Sequence, residues 1–583
     1  MPHLISTTIP TIISDIGLFT DAPNSVIKYL LFIRSYFSIV IHGQEGTAHE
    51  HVPQEEMYVE TINELFASAV KRFPERPALL EPTEEAGGDK GIMTTLTFSM
   101  LQQRVQQFAG HLQAQNMVQG DRVLIWSASR INWMVAYLAT LLVGAVVVPL
   151  DVNTKEDFLA RVTQTTEAKY LITTPKQYQS LQAPPLPLID IENLPTGAFD
   201  PARLPQVQGD DLAELVFTSG TTGQPKGVML SHHNIASNAL AALKVVDIQN
   251  SDRALSILPL SHMLEAMIEV ALLSTGASIV YARSLVPDTL LKLLGSQGIT
   301  CMILVPQALQ LFMNGIEREV RRQKREKAWN LLHRIAPRLP FAWRRTLFSS
   351  VHKRFGGRFR FFISGGAYLA PNLEERWENM GFRVMQGYGT TECSPVVSVT
   401  PYHEHAYGTI GKPLPGVQVR IADDGEILVH GPNVALGYWK NPEATAAAFQ
   451  DGWYSTGDLG YQDARGYLYI KGRKKNLIVL SNGLNVYPED IENALLTNTA
   501  IKDAVVIGLT ENGHEPVVHA VLLMDDSAQA RDAIQQANKQ LASHQQVRGF
   551  TIWPEQDFPR THTLKVKRPE LLEMLPSVRA SSK

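Results

Sequence analysis

The fold class is indicated most strongly by one ten-residue stretch, Thr218-Ser219-Gly220-Thr221-Thr222-Gly223-Gln224-Pro225-Lys226-Gly227. It follows an apolar run and combines hydroxyls, glycines and a lysine, a composition that can wrap a polyphosphate. Hydroxyls and backbone amides donate to phosphate oxygens, and the lysine adds a positive charge. The spacing is not the G-x-x-x-x-G-K-[ST] of a P-loop NTPase, because Pro225 interrupts it and no Ser or Thr follows a Gly-Lys pair. A different nucleotide-binding fold is therefore predicted.

Short runs rich in Val, Ile and Leu alternate with helix-length amphipathic stretches from about residue 55 to residue 400. This alternation predicts parallel sheets that are covered by helices on both faces. Strands are expected at residues 122–126, 145–150, 170–173, 214–218, 254–258, 278–281, 301–305, 359–363 and 383–386. Several of these runs end in Gly, Ser, Thr or Pro, which predicts polar, ligand-binding loops at the carboxyl ends of the strands.

The pattern of apolar, Gly and Pro residues changes twice after this region. Residues 408–472 contain β-segments punctuated by Gly and Pro, such as 417–422 and 426–430, which predict a small β-subdomain. Beyond Lys475, helices are expected at 486–497 and 527–543 and strands at 504–508 and 517–523. We therefore expect an α/β protein with a large N-terminal domain of layered αβ sheets and a small β-subdomain (55–474). A small, mobile α+β C-terminal domain (475–583) follows, and residues 1–54 form an N-terminal extension of unknown role.

The overall composition is that of an ordinary globular protein. The 583 residues are 44% hydrophobic and carry a formal net charge of −4, so nothing global indicates nucleic acid as a partner. Two cysteines, Cys301 and Cys393, provide neither a metal cluster nor a disulfide framework, which favours a reducing, cytoplasmic compartment. The apolar segment 26–41 is shorter than the roughly 20 residues of a spanning helix and contains Lys28 and Arg34. We do not expect it to be transmembrane.

Four further motifs carry candidate functional side chains. They are Ser364-Gly365-Gly366-Ala367 with Gln386-Gly387-Tyr388-Gly389-Thr390-Thr391-Glu392, Tyr454-Ser455-Thr456-Gly457-Asp458, Gly472-Arg473-Lys474-Lys475-Asn476, and Phe558-Pro559-Arg560-Thr561-His562-Thr563-Leu564-Lys565-Val566-Lys567-Arg568. A carboxylate such as that of Glu392 is a hard oxygen ligand that suits Mg²⁺. Each motif taken alone has an ordinary alternative, such as a surface turn or a basic linker.

Together these motifs resemble the acyl-adenylate-forming superfamily, which includes acyl-CoA synthetases, luciferases and the adenylation domains of peptide synthetases. The resemblance extends over roughly residues 58–570. It implies ATP, Mg²⁺ and coenzyme A as cofactors or co-substrates. The nucleotide-binding residues that it implies are Thr218, Ser219, Gly220, Thr221, Thr222, Gly223, Lys226, Gly365, Gly366, Ala367, Gln386, Gly387, Tyr388, Gly389, Thr390, Thr391, Asp458, Arg473 and Lys475.

The same resemblance implies roles for single residues. Glu392 and Thr218 are the implied metal ligands, and Glu392, Lys226 and Lys565 are the implied catalytic residues. Lys475 marks the hinge between the domains. Leu564 stands where the broader family usually has Gly, a departure that resembles long-chain acyl-CoA synthetases; Lys567 is the alternative catalytic lysine if the register is shifted by two.

The acyl pocket is less well defined by the sequence. The stretch Leu258-Pro259-Leu260-Ser261-His262 resembles the family segment that borders this pocket, so His262 is a candidate together with Gly387. A structural histidine at a strand end is the competing interpretation. Cys393 directly follows Glu392, but without a placed base we expect a small buried residue rather than a nucleophile.

Residues 317–360 carry 14 Lys and Arg residues against three Glu, interleaved with aromatic residues. A solvated helical face explains this stretch, and so does a docking surface for an anionic membrane or an acidic carrier protein.

The reaction expected from the whole sequence is ATP-dependent activation of a fatty acid, long-chain by resemblance, followed by transfer to coenzyme A. Alternatives are an acyl carrier protein ligase, another acid–thiol ligase of the superfamily, and a non-catalytic lipid-binding relative.

Overall fold

The structure is a computed structural model that describes residues 59–83, 92–218, 226–404, 406–480, 484–498, 500–510, 516–560 and 566–581. The predicted N-terminal extension and its apolar segment 26–41 lie outside these ranges. The strands are β1 Pro77–Pro82, β2 Met93–Thr97, β3 Arg122–Trp126, β4 Val146–Leu150, β5 Tyr170–Thr173, β6 Leu188–Asp190, β7 Leu212–Thr218, β8 Lys226–Ser231, β9 Arg253–Ser256, β10 Ser278–Tyr281, β11 Cys301–Leu304, β12 Phe361–Ser364, β13 Arg383–Gly389, β14 Val396–Val399, β15 Lys412–Pro413, β16 Gln418–Ile421, β17 Glu426–His430, β18 Gly437–Tyr438, β19 Phe449–Gln450, β20 Trp453–Gln462, β21 Leu468–Arg473, β22 Ile478–Val479, β23 Asn485–Val486, β24 Ile501–Leu509, β25 Val517–Met524 and β26 Gly549–Ile552.

The helices of the described residues connect these strands. They are α1 Ile62–Arg72, α2 Phe98–Ala114, α3 Ile131–Leu142, α4 Glu156–Thr166, α5 Pro175–Gln179, α6 His232–Leu243, α7 Met263–Thr275, α8 Pro287–Ser296, α9 Pro306–Arg322, α10 Glu326–Ile335, α11 Phe341–Leu347, α12 Ser349–Arg354, α13 Pro371–Asn379, α14 Pro442–Ala448, α15 Pro488–Leu496, α16 Ala530–Asn538 and α17 Arg568–Ser581. None of them combines the length and the apolar character that crossing a bilayer requires.

Two large sheets organise the N-terminal part. One has nine strands in the order β15-β14-β13-β12-β11-β9-β10-β1-β2, and the other has seven in the order β18-β8-β7-β4-β3-β5-β6. The central pairs of both sheets are parallel, whereas β1–β2, β13–β14, β14–β15, β7–β8 and β8–β18 are antiparallel. The sheets are therefore mixed, with parallel centres; the edge formed by β5 and β6 is also parallel, and the other three edges are antiparallel.

Buried side chains alternate between the two faces of each sheet, as the pleat requires. In the nine-stranded sheet, Ile303 and Phe361 face the largest core cluster, which also contains Val123 and Val147 of the other sheet. The neighbouring Met302 and Phe362 belong instead to a second cluster with α8–α13. This alternation leaves helices between the sheets and on their outer faces, so the predicted layered α/β fold is confirmed.

The β-subdomain and the C-terminal domain follow. Strands β16, β17, β19, β20 and β21 form a five-stranded sheet, and β24, β25 and β26 form a three-stranded sheet that packs against α15, α16 and α17. The short turn Lys474–Asn476 connects β21 to this last region. The boundary at Lys475 and the mobility of the small domain stay predictions.

Candidate active site

The glycine-rich segments meet at the carboxyl ends of two neighbouring strands. β12 and β13 are parallel, with Ser364 opposite Gln386, so the residues that follow them are adjacent. A Cβ atom on Gly365 would lie 3.3 Å from the carbonyl oxygen of Gly387, closer than most side chains allow. Gly366 has φ +80°, a left-handed conformation that favours glycine. The structure thus brings Gly365, Gly366 and Ala367 together with Gln386 and Gly387; their role in nucleotide binding stays a prediction.

Glu392 lies in a short 3₁₀ turn, Thr391–Cys393, just beyond β13. Its Oε1 accepts a hydrogen bond of 2.9 Å from the hydroxyl of Tyr438. Burial, reinforced by the negative charge of Glu392, raises the pKa of the Tyr438 hydroxyl, which therefore stays a donor. Sequence reasoning missed this tyrosine, because β18 lies 46 residues further along the chain.

Lys226 contacts the same tyrosine from β8, the strand that pairs with β18 in the seven-stranded sheet. It begins β8 rather than ending the glycine-rich loop, and it faces Thr218 across the β7–β8 hairpin. Its Nζ lies 4.8 Å from the centroid of the Tyr438 ring. Tyr438 therefore lies between the ammonium group of Lys226 and the carboxylate of Glu392. Residues 219–223, the remainder of the predicted phosphate loop, lie outside the described residues.

Asp458 is the most constrained carboxylate of the predicted site. It is 3% exposed, accepts a hydrogen bond of 2.7 Å from the Tyr388 hydroxyl, and places Oδ1 at 2.6 Å from Nε of Arg473. Arg473 is its partner across β20 and β21. Burial and the neighbouring Asp458 raise the pKa of Tyr388 well above its usual value, so its hydroxyl remains protonated. The structure thus groups Tyr388, Asp458 and Arg473, which the sequence separates widely.

Lys475 lies in the turn that directly follows β21. Partial burial and the positive charge of Arg473 lower the pKa of its ammonium group. The predicted catalytic Lys565 lies outside the described residues. Its possible substitute, Lys567, pairs with Glu570 at 3.1 Å on the first turn of α17.

His262 has a structural role, which is the alternative to a place in the acyl pocket. It caps α7, and its Nδ1 accepts a hydrogen bond of 3.2 Å from the backbone amide of Leu264. The side chain of Leu264 lies 3.4 Å from the Cβ position of Gly365, so this helix end borders the glycine-rich segment. The place of His262 in an acyl pocket stays a prediction. Cys393 is fully buried, and burial raises the pKa of its thiol, which fits the expected small core residue.

Buried amides hold the Glu392 segment in place. Asn238 on α6 donates to the carbonyl of Val396 at 2.7 Å and accepts from its amide at 3.1 Å. Asn433 donates to the carbonyl of Cys393 at 3.0 Å. Neither asparagine was a candidate from the sequence; for Asn238, a polar amide among the apolar residues of α6 was the available signal.

These features define a two-domain α/β protein whose polar site lies where strands of its large sheets end. The family profile described as AMP-binding enzyme matches residues 66–439, and the profile described as AMP-binding enzyme C-terminal domain matches residues 475–577. The chain belongs to the AMP-binding enzyme family. The resemblance identified in the sequence is thereby confirmed.

The relatives with assigned activities are named for different carboxylic acid substrates. A long-chain-fatty-acid–CoA ligase of Mycobacterium bovis is 30% identical over 84% of this chain and 92% of its own length. A feruloyl-CoA synthase of an Amycolatopsis species is 31% identical over 78% of this chain and 89% of that protein. A 2-succinylbenzoate–CoA ligase of Bacillus licheniformis is 29% identical over 82% of this chain and 94% of that protein.

Solved structures share the fold. The o-succinylbenzoate–CoA synthetase of Bacillus subtilis, in complex with its acyl-adenylate intermediate, is 26% identical, with a TM-score of 0.70 over 87% of this chain and 97% of that one. The ATP-bound MatB of Rhodopseudomonas palustris is 27% identical, with a TM-score of 0.72 over 88% of this chain and 99% of that one.

Proposed function

We propose that this protein is an AMP-forming acid–CoA ligase that activates a long-chain fatty acid. The acid carboxylate attacks the α-phosphorus of ATP, which forms the acyl-adenylate and releases pyrophosphate. The thiol of coenzyme A then attacks the acyl carbon, which forms the thioester and releases AMP. Membership of the family and the acid–CoA ligases among its relatives support the reaction class.

The arrangement around Asp458 is the observation that carries the proposal. Each carboxylate oxygen has two lone pairs, and the bonds from Tyr388 and Arg473 use one on each oxygen. We propose that the Asp458 carboxylate, oriented by Tyr388 and Arg473, binds the ribose hydroxyls of ATP through its two acceptor oxygens. Because the tyrosine and the arginine fix the carboxylate, little conformational freedom is lost when the sugar binds.

The Glu392 environment fits a magnesium ion. Among the described residues, no group of three or more His, Cys, Asp or Glu side chains is arranged to hold a metal. Mg²⁺ is usually held by one or two carboxylates together with substrate phosphates, so one carboxylate suffices here. When bound, the ion neutralises phosphate charge. We propose Glu392 and Thr218, the last residue of β7, as its protein ligands.

Lys226 and Lys565 supply the positive charges of the adenylation step. Preorganised cations stabilise the charge that develops on the phosphate oxygens as the pyrophosphate leaves. The ammonium group of Lys226 lies over the ring of Tyr438 at 4.8 Å, a cation–π contact that favours this orientation of the side chain. Rotation of the small domain about Lys475 would then withdraw Lys565 and admit the thiol.

The fatty-acid specificity rests on two observations. One relative at 30% identity is a long-chain-fatty-acid–CoA ligase, and Leu564 stands where the wider superfamily usually has Gly. Ferulate and 2-succinylbenzoate, the acids for which the other two relatives are named, are the competing substrates. ATP–pyrophosphate exchange with palmitate, octanoate, ferulate and 2-succinylbenzoate separates them, and we expect the highest kcat/KM with palmitate.

The same assay tests the enzyme class. Absence of exchange with every acid, from folded protein with Mg²⁺, would leave the non-catalytic lipid-binding alternative. AMP release with coenzyme A, compared with release by a holo acyl carrier protein, tests the acceptor. If only the carrier protein discharges the adenylate, the thioester assignment is wrong.

We also propose that helices α9 and α10 contact an anionic membrane. The segment 317–360 has a net charge of +11 while the whole chain has −4, so the remaining residues carry −15. Arg345 and Arg360 turn inward, to the carbonyl of Phe359 at 2.7 Å and to Asp252 at 2.6 Å. Nine other cations of this segment are exposed and make no ion pair within the described ranges: Arg318, Arg321, Lys324, Arg325, Lys327, Arg334, Arg338, Lys353 and Arg358.

Sedimentation with vesicles tests this surface. Binding to phosphatidylglycerol vesicles should exceed binding to phosphatidylcholine vesicles and should fall with salt. Replacing Arg321, Arg322, Lys324 and Arg325 by Gln should reduce it, whereas the same change at Lys502, Arg531, Lys539 and Arg548 of the C-terminal domain should not. Equal loss from both sets would indicate a general charge effect and would refute the proposal.

A further inference from the structure

Glu426 connects two segments that the proposed function separates. It begins β17, and its side chain is 12% exposed. One carboxylate oxygen accepts a hydrogen bond of 2.9 Å from the backbone amide of Gly457. The other accepts one of 2.9 Å from the ammonium group of Lys474. Gly457 directly precedes Asp458, and Lys474 directly precedes Lys475.

The bond to Gly457 holds an irregular part of β20. Glu426 pairs with Leu459 and Leu428 with Ser455, so residues 456–458 face Ile427 alone. Gly457 has φ +71°, and this bulge turns its amide out of the ladder toward Glu426. Thr456 adds a hydrogen bond of 2.7 Å to the carbonyl of Ile427. The carboxylate of Glu426 thus replaces a missing ladder partner immediately before Asp458.

The bond to Lys474 fixes the end of β21. The ammonium group also lies 2.6 Å from Oδ2 of Asp424. Hydrogen bonds to Asp424 and Glu426 raise the pKa of Lys474 to about 12, so the charge is present at neutral pH. Both acids belong to the turn that leads into β17, within the large domain. The chain is therefore tied to that domain as far as Lys474.

We propose that Glu426 is a positioning residue for both half-reactions. Through its bond to Gly457, Glu426 holds the irregular segment that precedes Asp458. Through its bond to Lys474, it limits the interdomain rotation to Lys475 and the residues that follow. Asp458 consequently keeps its position while the small domain moves. The inference rests on the proposed function, since it takes Asp458 as the ribose ligand and Lys475 as the hinge.

Variants separate the two bonds. Glu426→Ala removes both, and we expect a KM for ATP about two- to tenfold higher, the effect of one lost hydrogen bond. Glu426→Gln retains an acceptor for Gly457 but removes one of the two negative charges that hold Lys474, the other being that of Asp424. The KM for ATP should then stay within about twofold, while the ratio of overall turnover to pyrophosphate exchange falls about two- to tenfold. Lys474→Met should reproduce the effect of Glu426→Gln.

Hinge proteolysis supplies a measurement that does not depend on catalysis. Trypsin cleavage after Lys475, followed by mass spectrometry, should be faster in Glu426→Gln than in the wild type. Asp525→Asn removes another carboxylate–lysine pair, with Lys502 in the small domain, and should change neither cleavage nor kinetics.

The outcomes are distinguishable. Equal loss of both half-reactions with an unchanged KM for ATP and unchanged cleavage would mean a merely structural role and would overturn the inference. Faster cleavage in a protein that exchanges pyrophosphate with no acid would support the anchor at Lys474 and refute the proposed function.

Discussion

Asp458 and Arg473 face each other across the β20–β21 hairpin, with 2.6 Å between Oδ1 of the aspartate and Nε of the arginine. The carboxylate is buried, whereas the arginine side chain is 44% exposed. The guanidinium is always charged, so it compensates the aspartate at every physiological pH. Tyr388 from the large sheet completes the group, which makes the hairpin part of the site rather than a distant subdomain.

Asp458→Asn should weaken ATP binding. The variant retains one acceptor oxygen but points an NH₂ group at the donors of Tyr388 or Arg473. We expect the KM for ATP in pyrophosphate exchange to rise about 10- to 100-fold, the range for losing a charge-assisted hydrogen bond. Tyr388→Phe leaves the Asp458–Arg473 pair and should cost less. An unchanged KM in Asp458→Asn would contradict the ribose assignment.

Glu392→Gln should impair the Mg²⁺-dependent step while the fold persists. The Gln amide oxygen can still accept from the Tyr438 hydroxyl, so the melting temperature should change little. The kcat for exchange should fall about 10²- to 10³-fold, as for loss of one preorganised electrostatic group. The measurement is kcat against Mg²⁺ concentration, with Tyr438→Phe for comparison. Unaltered Mg²⁺ dependence would exclude Glu392 as the ligand.

Lys565→Ala should abolish adenylation and leave the second step. Acyl-adenylate supplied directly should still react with coenzyme A, because the lysine has by then left the site. Lys567→Ala removes only the pair with Glu570, half exposed on both sides, and should retain exchange. If Lys567→Ala is the inactive variant, the register of the motif is shifted by two.

Glu214→Gln should change how stability depends on pH. Glu214 is buried on β7, accepts a hydrogen bond from Tyr137, and has a pKa raised by burial to about 7. In the unfolded chain the group titrates near pH 4.3, roughly, so the folded protein holds a proton that the unfolded chain has lost between these values. The stability contributed by neutral Glu214 is therefore complete below the unfolded pKa and is lost as pH rises through about 7.

Thermal melts at pH 5 and pH 8 check this expectation. The wild type should lose stability relative to Glu214→Gln between the two, by about 3 kcal/mol for a shift of this size. Glu555→Gln, at an exposed position, is the control. A constant difference between wild type and Glu214→Gln at both values would mean that Glu214 is ionised in the folded protein throughout this range.

Local patterns in the sequence were sufficient for most of the fold. The strands at 122–126, 170–173 and 278–281 begin and end where predicted, because each is a short apolar run bounded by turn residues. The expected helix at 527–543 is shorter, Ala530–Asn538, and a 3₁₀ turn precedes it. The antiparallel pairs at the sheet edges were not predicted, since periodicity does not reveal strand direction.

The site was predictable only residue by residue. Motifs identified Asp458 and Glu392, but not the hydroxyls of Tyr388 and Tyr438 that donate to them. Their pairing depends on sheet order over 70 and 46 residues of sequence. Glu426 was likewise visible only as the start of a strand, because its two bonds connect segments 31 and 48 residues away.

The β20–β21 hairpin carries a thermodynamic consequence. Asp458 lies on one strand and the other ends in Arg473, two residues before Lys475, the hinge that we propose. Where nucleotide occupancy and the orientation of the small domain are coupled through such an element, the coupling is reciprocal. If bound nucleotide raises the equilibrium constant for one domain orientation by some factor, that orientation raises the affinity for nucleotide by the same factor. A reagent that traps the domain would thereby act as an effector of ATP binding without touching the ATP site.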